Sequence, residues 1–233
     1  MEGADVRWSA NDALGIFSGT KFVNAKFTTK DDNAASATFT GDATDAEGTE
    51  AAKAFAYYPY AAGATLEGTT VSGLEILAVQ TFAEGTFATT LNPMAAVGED
   101  HTSLAFRSVG AVLRFKLTGT DTFNKLILTG NNDESIAGAY ALDFSGEVPA
   151  MTFSGEGKSI TVTCASDVTL KTDVATEVHF VVPAGIEFTK GVSLKIVHSY
   201  YSWDAGDVNK EILTRKFTTC LLYTSPSPRD RQK

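Results

Sequence analysis

Residues 109–117 read Val-Gly-Ala-Val-Leu-Arg-Phe-Lys-Leu, and this stretch decides the fold class. Every second position is apolar: Val109, Ala111, Leu113, Phe115 and Leu117. The intervening positions are Gly110, Arg114 and Lys116, interrupted only by Val112. This period of two is typical of a β-strand with one face in the core and one in water. The same rhythm recurs along most of the chain without a long helical period, so the sequence predicts an all-β protein.

Further segments with this alternation are separated by turn-rich stretches. In the first half they cover residues 14–17, 37–39, 53–58, 74–79 and 86–89. In the second half they are longer and cover residues 104–118, 123–128, 138–144, 159–164, 178–182, 192–197 and 212–217. Roughly twelve short strands with regular turns predict two stacked β-sandwiches.

The alternation lapses between residues 92 and 103, where Asn-Pro and Gly-Glu-Asp occur. We therefore predict an N-terminal β-sandwich over residues 1–100 and a C-terminal β-sandwich over residues 101–219. Just after this lapse, the apolar residues Leu104 and Phe106 occupy even-numbered positions, whereas the alternating apolar residues from Val109 onward occupy odd-numbered positions. A bulge near Ser108 and Gly110 in a single long strand would account for the change of register.

The last fourteen residues differ in character from the rest. Residues 220–230 read Cys-Leu-Leu-Tyr-Thr-Ser-Pro-Ser-Pro-Arg-Asp and resemble one reading frame through a transposon-end adapter used in DNA library preparation. The alternation stops there, two prolines remove backbone donors, and the charge becomes basic. We interpret residues 220–233 as an artefactual tail. We expect the last native strand of the second domain to be missing.

The chain is acidic, with a formal net charge of −9, and without the basic tail it is more acidic still. Because it lacks a Lys/Arg cluster, it would repel phosphate backbones, and we predict no nucleic-acid partner. No apolar run approaches the roughly 20 residues that span a membrane. Residues 1–7 are short and acidic and do not resemble a signal peptide. Because the artefactual tail indicates that the coding sequence was cut at its 3′ end, we expect the start of the first domain to be incomplete as well.

No motif predicts an enzyme, a cofactor or a metal. The segment Gly155-Glu156-Gly157-Lys158-Ser159 ends like a phosphate-binding loop, but Thr152 stands where a glycine is required and a strand follows. The acidic residues 42–50 do not fit the helical calcium loop, although a looser surface site stays an alternative to a solvated loop. His101, His179 and His198 are scattered, without zinc-ligand spacing. We therefore predict no catalytic, cofactor-binding or metal-binding residues.

Two single residues have simple interpretations. Cys164 follows Ile160 and Val162 at strand spacing, which predicts a small buried apolar side chain rather than a reactive thiol. His179 alternates with Val178 and Phe180, so we predict that its ring points to solvent.

The most aromatic short segment is His198-Ser199-Tyr200-Tyr201-Ser202-Trp203-Asp204. Tyr200, Tyr201 and Trp203 are candidate glycan contacts, because aromatic rings stack on the apolar faces of sugars while polar neighbours bind hydroxyls. The alternative is the end of a strand whose rings cap the core, and this interpretation is the one we favour.

Eight short motifs together suggest a family. They are Trp8-x-x-Asn11-Asp12-x-x-Gly15-Ile16-Phe17, Phe39-Thr40-Gly41, Ala56-Tyr57-Tyr58-Pro59-Tyr60, Gln80-Thr81, Asn92-Pro93-Met94-Ala95-Ala96, Leu104-x-Phe106 leading into Ala111-x-Leu113-x-Phe115, Ile136-Ala137-Gly138 and Val182-Pro183-Ala184-Gly185. In their order and spacing, from Trp8 to about Thr219, the chain resembles the fimbrillin family. These Mfa-like proteins are subunits of type V pili on Gram-negative anaerobes.

The resemblance implies two tandem β-sandwich domains of transthyretin-like topology. It also implies a lipoprotein that is exported to the outer membrane and lipidated on an N-terminal cysteine. A protease then removes the first strand, and a strand from a neighbouring subunit fills the groove that is left. No such cysteine or upstream strand precedes Trp8, and Arg7 lies near where trimming after arginine would occur.

The resulting hypothesis is a structural subunit of a cell-surface fimbria that polymerises by donor-strand exchange and supports cell adhesion. Its partners would be other pilin subunits and a host glycan or protein, with the outer membrane reached only through a lipid anchor. The alternative is a surface lipoprotein or adhesin of the same fold that binds glycan or host protein without polymerising.

Overall fold

The computed structural model describes residues 6–41, 47–202, 204 and 206–217, apart from the side chains of Tyr201 and Asp207. Within this part of the chain there is no helix, and the predicted all-β fold is confirmed. Consequently, no described helix is long and apolar enough to cross a membrane.

The described part of the chain contains eighteen strands. In the first half these are β1 Ala13–Ser18, β2 Phe22–Thr29, β3 Phe39–Gly41, β4 Ala54–Tyr58, β5 Thr65–Glu67, β6 Thr70–Ile76, β7 Val79–Ala83, β8 Thr86–Phe87 and β9 Met94–Gly98. In the second half these are β10 Arg107–Ser108, β11 Gly110–Leu117, β12 Thr122–Gly130, β13 Gly138–Asp143, β14 Ala150–Phe153, β15 Ser159–Thr169, β16 Thr176–Pro183, β17 Val192–Ser202 and β18 Gly206–Phe217.

The strands form four sheets, with β10-β9-β4-β1-β2-β3 as the first. Its central strands β1 and β4 are buried on both faces. In β1, Leu14 and Ile16 join one hydrophobic cluster, while Phe17 joins the other. A central strand buried on both faces needs apolar residues at consecutive positions, which explains why β1 reads Leu-Gly-Ile-Phe rather than a strict alternation.

The other three sheets surround the larger core. A six-stranded sheet has the order β18-β17-β12-β15-β7-β8, a four-stranded sheet the order β14-β13-β6-β5, and β11 pairs with β16 alone. Leu126 and Leu128 from the six-stranded sheet, Leu113 and Phe180 from the pair, and Tyr140 from the four-stranded sheet belong to one cluster. The architecture is therefore a β-sandwich type.

Strand pairing crosses the position that we predicted as a domain boundary. Strand β6 pairs antiparallel with β13, and β7 pairs parallel with β15, although both β6 and β7 precede residue 100. The sheets around the larger core therefore contain strands from both halves of the chain. The division into residues 1–100 and 101–219 stays a prediction.

The register change near residue 109 has a different cause from the predicted bulge. Strand β10 pairs with β9 in the first sheet, whereas β11 pairs with β16. Between them, the Val109 N–H donates to the Pro93 carbonyl at 2.9 Å. The chain leaves one sheet and enters another. The apolar residues change from even-numbered to odd-numbered positions because β10 and β11 belong to different sheets.

The N-terminal motif residues have identifiable structural roles. The Trp8 ring lies edge-on to the rings of Phe39, Tyr58 and Phe106, with centroids 4.9, 5.3 and 5.3 Å away. The buried Asp12 accepts a hydrogen bond of 2.7 Å from the Tyr58 hydroxyl. These contacts anchor the segment before β1 over the smaller hydrophobic cluster.

Candidate functional site

Strand β16 has a partner strand on one edge and a side-chain partner at one position of the other. Strand β11 pairs with it along its whole length, from Gly110 opposite Pro183 to Leu117 opposite Thr176. On the other side, the Gln80 side chain meets the Val181 backbone: its Nε2 donates to the Val181 carbonyl at 2.7 Å, and its Oε1 accepts from the Val181 N–H at 2.9 Å. Gln80 is only 2% exposed, so its amide takes the place of a neighbouring strand in the core.

This contact shows the direction in which the backbone groups of β11 point. Because the Val181 N–H and C=O point to Gln80, Val181 and its partner Val112 form a non-hydrogen-bonded pair. Hydrogen-bonded and non-hydrogen-bonded pairs alternate along an antiparallel ladder. The pairs of Arg114 with His179 and of Lys116 with Glu177 are therefore also non-hydrogen-bonded. The backbone N–H and C=O groups of Val112, Arg114 and Lys116 therefore point away from β16.

Within the described residues, no strand pairs with that second side of β11. At the beginning of β11 the chain lies close to Pro93, since a Cβ added at Gly110 would lie 2.8 Å from the Pro93 Cγ. The open part covers residues 111–117, which we call the β11 edge. A row of unpaired backbone groups is a template for the addition of another strand.

Apolar residues line the β11 edge on the core side. Ala111, Leu113 and Phe115 point inward and are 1%, 2% and 9% exposed. Across the sandwich, the half-buried Phe217 of β18 brings its ring centroid to 5.3 Å from that of Phe115. Half-buried Ile212 and Leu117 also pack against this core. A strand added here would cover apolar surface as well as satisfy backbone groups.

The outer face of the β11 edge is positively charged. Glu177 lies 2.9 Å from the Lys116 Nζ and 3.7 Å from an Arg114 guanidinium nitrogen. The hydrogen bond from Lys116 lowers the pKa of Glu177 from its ordinary value, so this carboxylate is ionised at neutral pH. One carboxylate thus serves two cations and leaves a local positive excess.

Two other long strands of the described chain, β16 and β18, also have an edge without a partner strand. In β16 that edge lies against the β7–β8 hairpin, with Gln80 bonded to Val181. The edge of β18 is more open. Charged side chains at consecutive positions occupy both of its faces, namely Lys210, Glu211, Arg215 and Lys216. Charges on an edge are a common protection against strand addition. Because every inward position of the β11 edge is apolar, it is the better candidate acceptor.

The prediction that His179 points to solvent is wrong. Its ring lies on the outer face of β16, but it is only 7% exposed because β8 packs against β16. Burial lowers the pKa of His179, and the nearby Glu177 carboxylate and the hydrogen bond with the Thr86 backbone only partly oppose that shift. The hairpin formed by β7 and β8 therefore covers a face that period-two alternation assigns to water.

Of the predicted glycan contacts, the structure describes the ring of Tyr200. That side chain is 46% exposed, with its centroid 5.5 Å from that of His198. His198 Nε2 lies 3.1 Å from an Asp167 carboxylate oxygen. Tyr200 therefore does not cap the core. The side chain of Tyr201 and the whole of Trp203 lie outside the described residues.

The polar network beside Tyr200 depends on an irregularity in β15. The ladder between β12 and β15 shifts register between Phe123 and Lys125. The Asn124 side chain spans this shift by donating 2.8 Å to an Asp167 oxygen and 2.7 Å to the Ser199 carbonyl. The bond from Asn124 lowers the pKa of Asp167 from its ordinary value, followed in size by the bond with His198.

The remaining predicted sites have simple surroundings. The exposed Arg7 donates to the Asn33 carbonyl at 3.1 Å, and the neighbouring Trp8 N–H donates to the Ala34 carbonyl at 2.8 Å. Cys164 is half-buried against the core, and burial raises its pKa to about 11. No described group of three or more His, Cys, Asp or Glu residues is arranged to hold a metal. Residues 42–46 and 218–233 lie outside the described residues.

Sequence reasoning found β11 but not its open edge, because alternation shows which way side chains point and not which strands pair. It also gave Gln80 no role, although Gln80-Thr81 is one of the motifs behind the family resemblance. A glutamine at an inward strand position was the available signal. No family model, curated protein or solved structure matches the chain.

Proposed function

We propose that the protein is a structural subunit of a cell-surface fimbria that polymerises by donor-strand exchange and supports adhesion. The observation that carries this proposal is the β11 edge, where an apolar core strand has unpaired backbone groups on one side within the described residues. The resemblance to fimbrillins supports the same function, with the outer membrane and its fimbriae as the location.

The energetics favour such an assembly. A strand on the β11 edge would bury three or four apolar side chains, and burial contributes roughly 1.5–3 kcal/mol each, or about 5–12 kcal/mol before entropic costs. This range is comparable with the whole stability of a domain, about 5–15 kcal/mol. Because donor and acceptor are different surfaces, the contact is head-to-tail and extends into a filament when the rotation does not close.

The substitution Val112→Pro tests this function in cells that make fimbriae from the full-length protein. Proline lacks the N–H that points to the β11 edge, and a proline is tolerated where that N–H does not bond within the sheet. We expect the variant to fold and to lose the detergent-resistant ladder of polymers on unheated gels. Val112→Ala, which keeps the N–H, should retain the ladder.

Two readouts separate assembly from folding. The purified Val112→Pro and Val112→Ala chains should have melting temperatures within a few degrees of each other. An intact polymer ladder from a folded Val112→Pro variant would contradict assembly through the β11 edge.

A second candidate function is glycan binding without polymerisation. The exposed ring of Tyr200 beside His198 and Asp167 favours it. Aromatic faces stack on sugar rings, and carboxylates accept hydrogen bonds from sugar hydroxyls. Binding on a glycan array that is lost in Tyr200→Ala, in a protein that forms no ladder, would favour this alternative.

A further inference from the structure

The side chains around the β11 edge determine what kind of strand it would accept. This inference rests on the proposed function. An antiparallel strand would form hydrogen-bonded pairs opposite Val112, Arg114 and Lys116, because these residues present their backbone groups to the edge. Directly opposite residues share a face, so the incoming residues at these positions would lie on the outer side, beside the two cations.

The intervening residues of the incoming strand would point into the sandwich. They would lie opposite Ala111, Leu113 and Phe115, on the side where Phe217 and Ile212 are half-buried. Their environment is apolar, and an unpaired charge would be costly there. The inward positions of the donor must therefore be apolar.

Charge distinguishes the outward positions. The Arg114 and Lys116 side chains are 40% and 58% exposed, and they already share the single carboxylate of Glu177. A carboxylate directly opposite them would complete an arrangement of alternating charge, whereas a basic residue would meet two cations at close range.

The same charges act against the simplest alternative occupant, a second copy of β11. Antiparallel pairing of two β11 edges would bring Arg114 and Lys116 of each copy beside those of the other, with only the two Glu177 carboxylates to offset them. Like charges across strands are destabilising. The edge is therefore built to disfavour symmetric dimers.

We propose that the β11 edge selects a donor strand that alternates apolar residues with acidic ones, the acidic residues lying opposite Arg114 and Lys116. The β11 edge would thus recognise its donor by acidic residues on the outer face and by apolar residues on the inner face. In an otherwise acidic chain, this positive edge would also steer an acidic segment toward the correct strand.

Two labelled peptides test the proposal with the purified chain. Both alternate valine with a charged residue over nine positions, and the charged residue is glutamate in one and lysine in the other. Binding is measured by fluorescence anisotropy at low salt. We expect the glutamate peptide to bind about tenfold more tightly, with the difference decreasing as salt is added.

A neutral acceptor supplies the matched control. In the double variant Arg114→Gln, Lys116→Gln, the two peptides should bind with similar affinity, and the melting temperature checks that the variant is folded. Equal binding of both peptides to the unmodified chain would overturn the acidic preference while leaving strand addition intact. Failure of both peptides to bind, or binding unaffected by Val112→Pro, would overturn the acceptor edge itself and with it the proposed function.

Discussion

At the residue scale, Gln80 bonds to β16 on the side away from β11. Its amide satisfies both backbone groups of Val181 and so shows which groups of β11 point away from β16. A glutamine that is 2% exposed is tolerated because its amide nitrogen and oxygen both have hydrogen-bond partners.

We predict that Gln80→Leu destabilises the protein by about 2–5 kcal/mol, because it leaves a buried N–H and a buried C=O without partners. Chemical denaturation measures the change. Thr81→Leu, at the exposed neighbouring position, is the matched control and should change stability by only about 0.5 kcal/mol. A loss below about 1 kcal/mol in Gln80→Leu would show that the amide does not serve as a strand substitute.

His179 predicts a dependence of stability on pH. Burial lowers its pKa in the folded state, so the unfolded chain binds a proton more readily. Stability is then unaffected by His179 above the unfolded pKa of about 6.5 and falls as the pH decreases from there toward the lowered folded value.

The variant His179→Gln keeps a hydrogen-bond donor for the Thr86 backbone and removes the titration. We expect its melting temperature to fall less than that of the unmodified protein between pH 7 and pH 5. Parallel curves for the two proteins would exclude His179 as the source of the acid sensitivity.

At the element scale, alternation located several of the strands correctly. The predicted residues 178–182 lie within β16, and residues 123–128 lie within β12. Strand β2 was not predicted because its pattern is irregular: Phe22 and Ala25 are both buried, three positions apart. Asn24, between them, has a positive φ of 53° and lies where the ladder between β1 and β2 shifts register.

The β11 edge could not be predicted from the alternation of apolar residues. The apolar positions of β11 have the same pattern whether a strand has one neighbour or two, because pairing uses backbone groups that every residue carries. The identity of the neighbour is set by distant residues. Gln80 lies about a hundred positions before Val181, and its hydrogen bonds could not be read from either segment.

At the scale of the whole molecule, the sequence predicted the sandwich-type fold but not how its sheets share strands. Strands β6 and β7 complete sheets whose other members follow residue 100, because burial of their apolar faces depends on β13 and β15. The same holds for the proposed function. The sequence resemblance suggests a pilus subunit, but only the pairing of the strands indicates where assembly would occur.

Alternate backbone groups of β11 point to an edge that no described strand pairs with, and amide hydrogen exchange followed by NMR measures whether those groups are free. We predict that the amides of Val112, Arg114 and Lys116 exchange much faster than those of Leu113 and Phe115, which bond to β16. Addition of the glutamate peptide should then protect the first three. Equal, strong protection of all five amides in the free protein would show that the β11 edge is already paired.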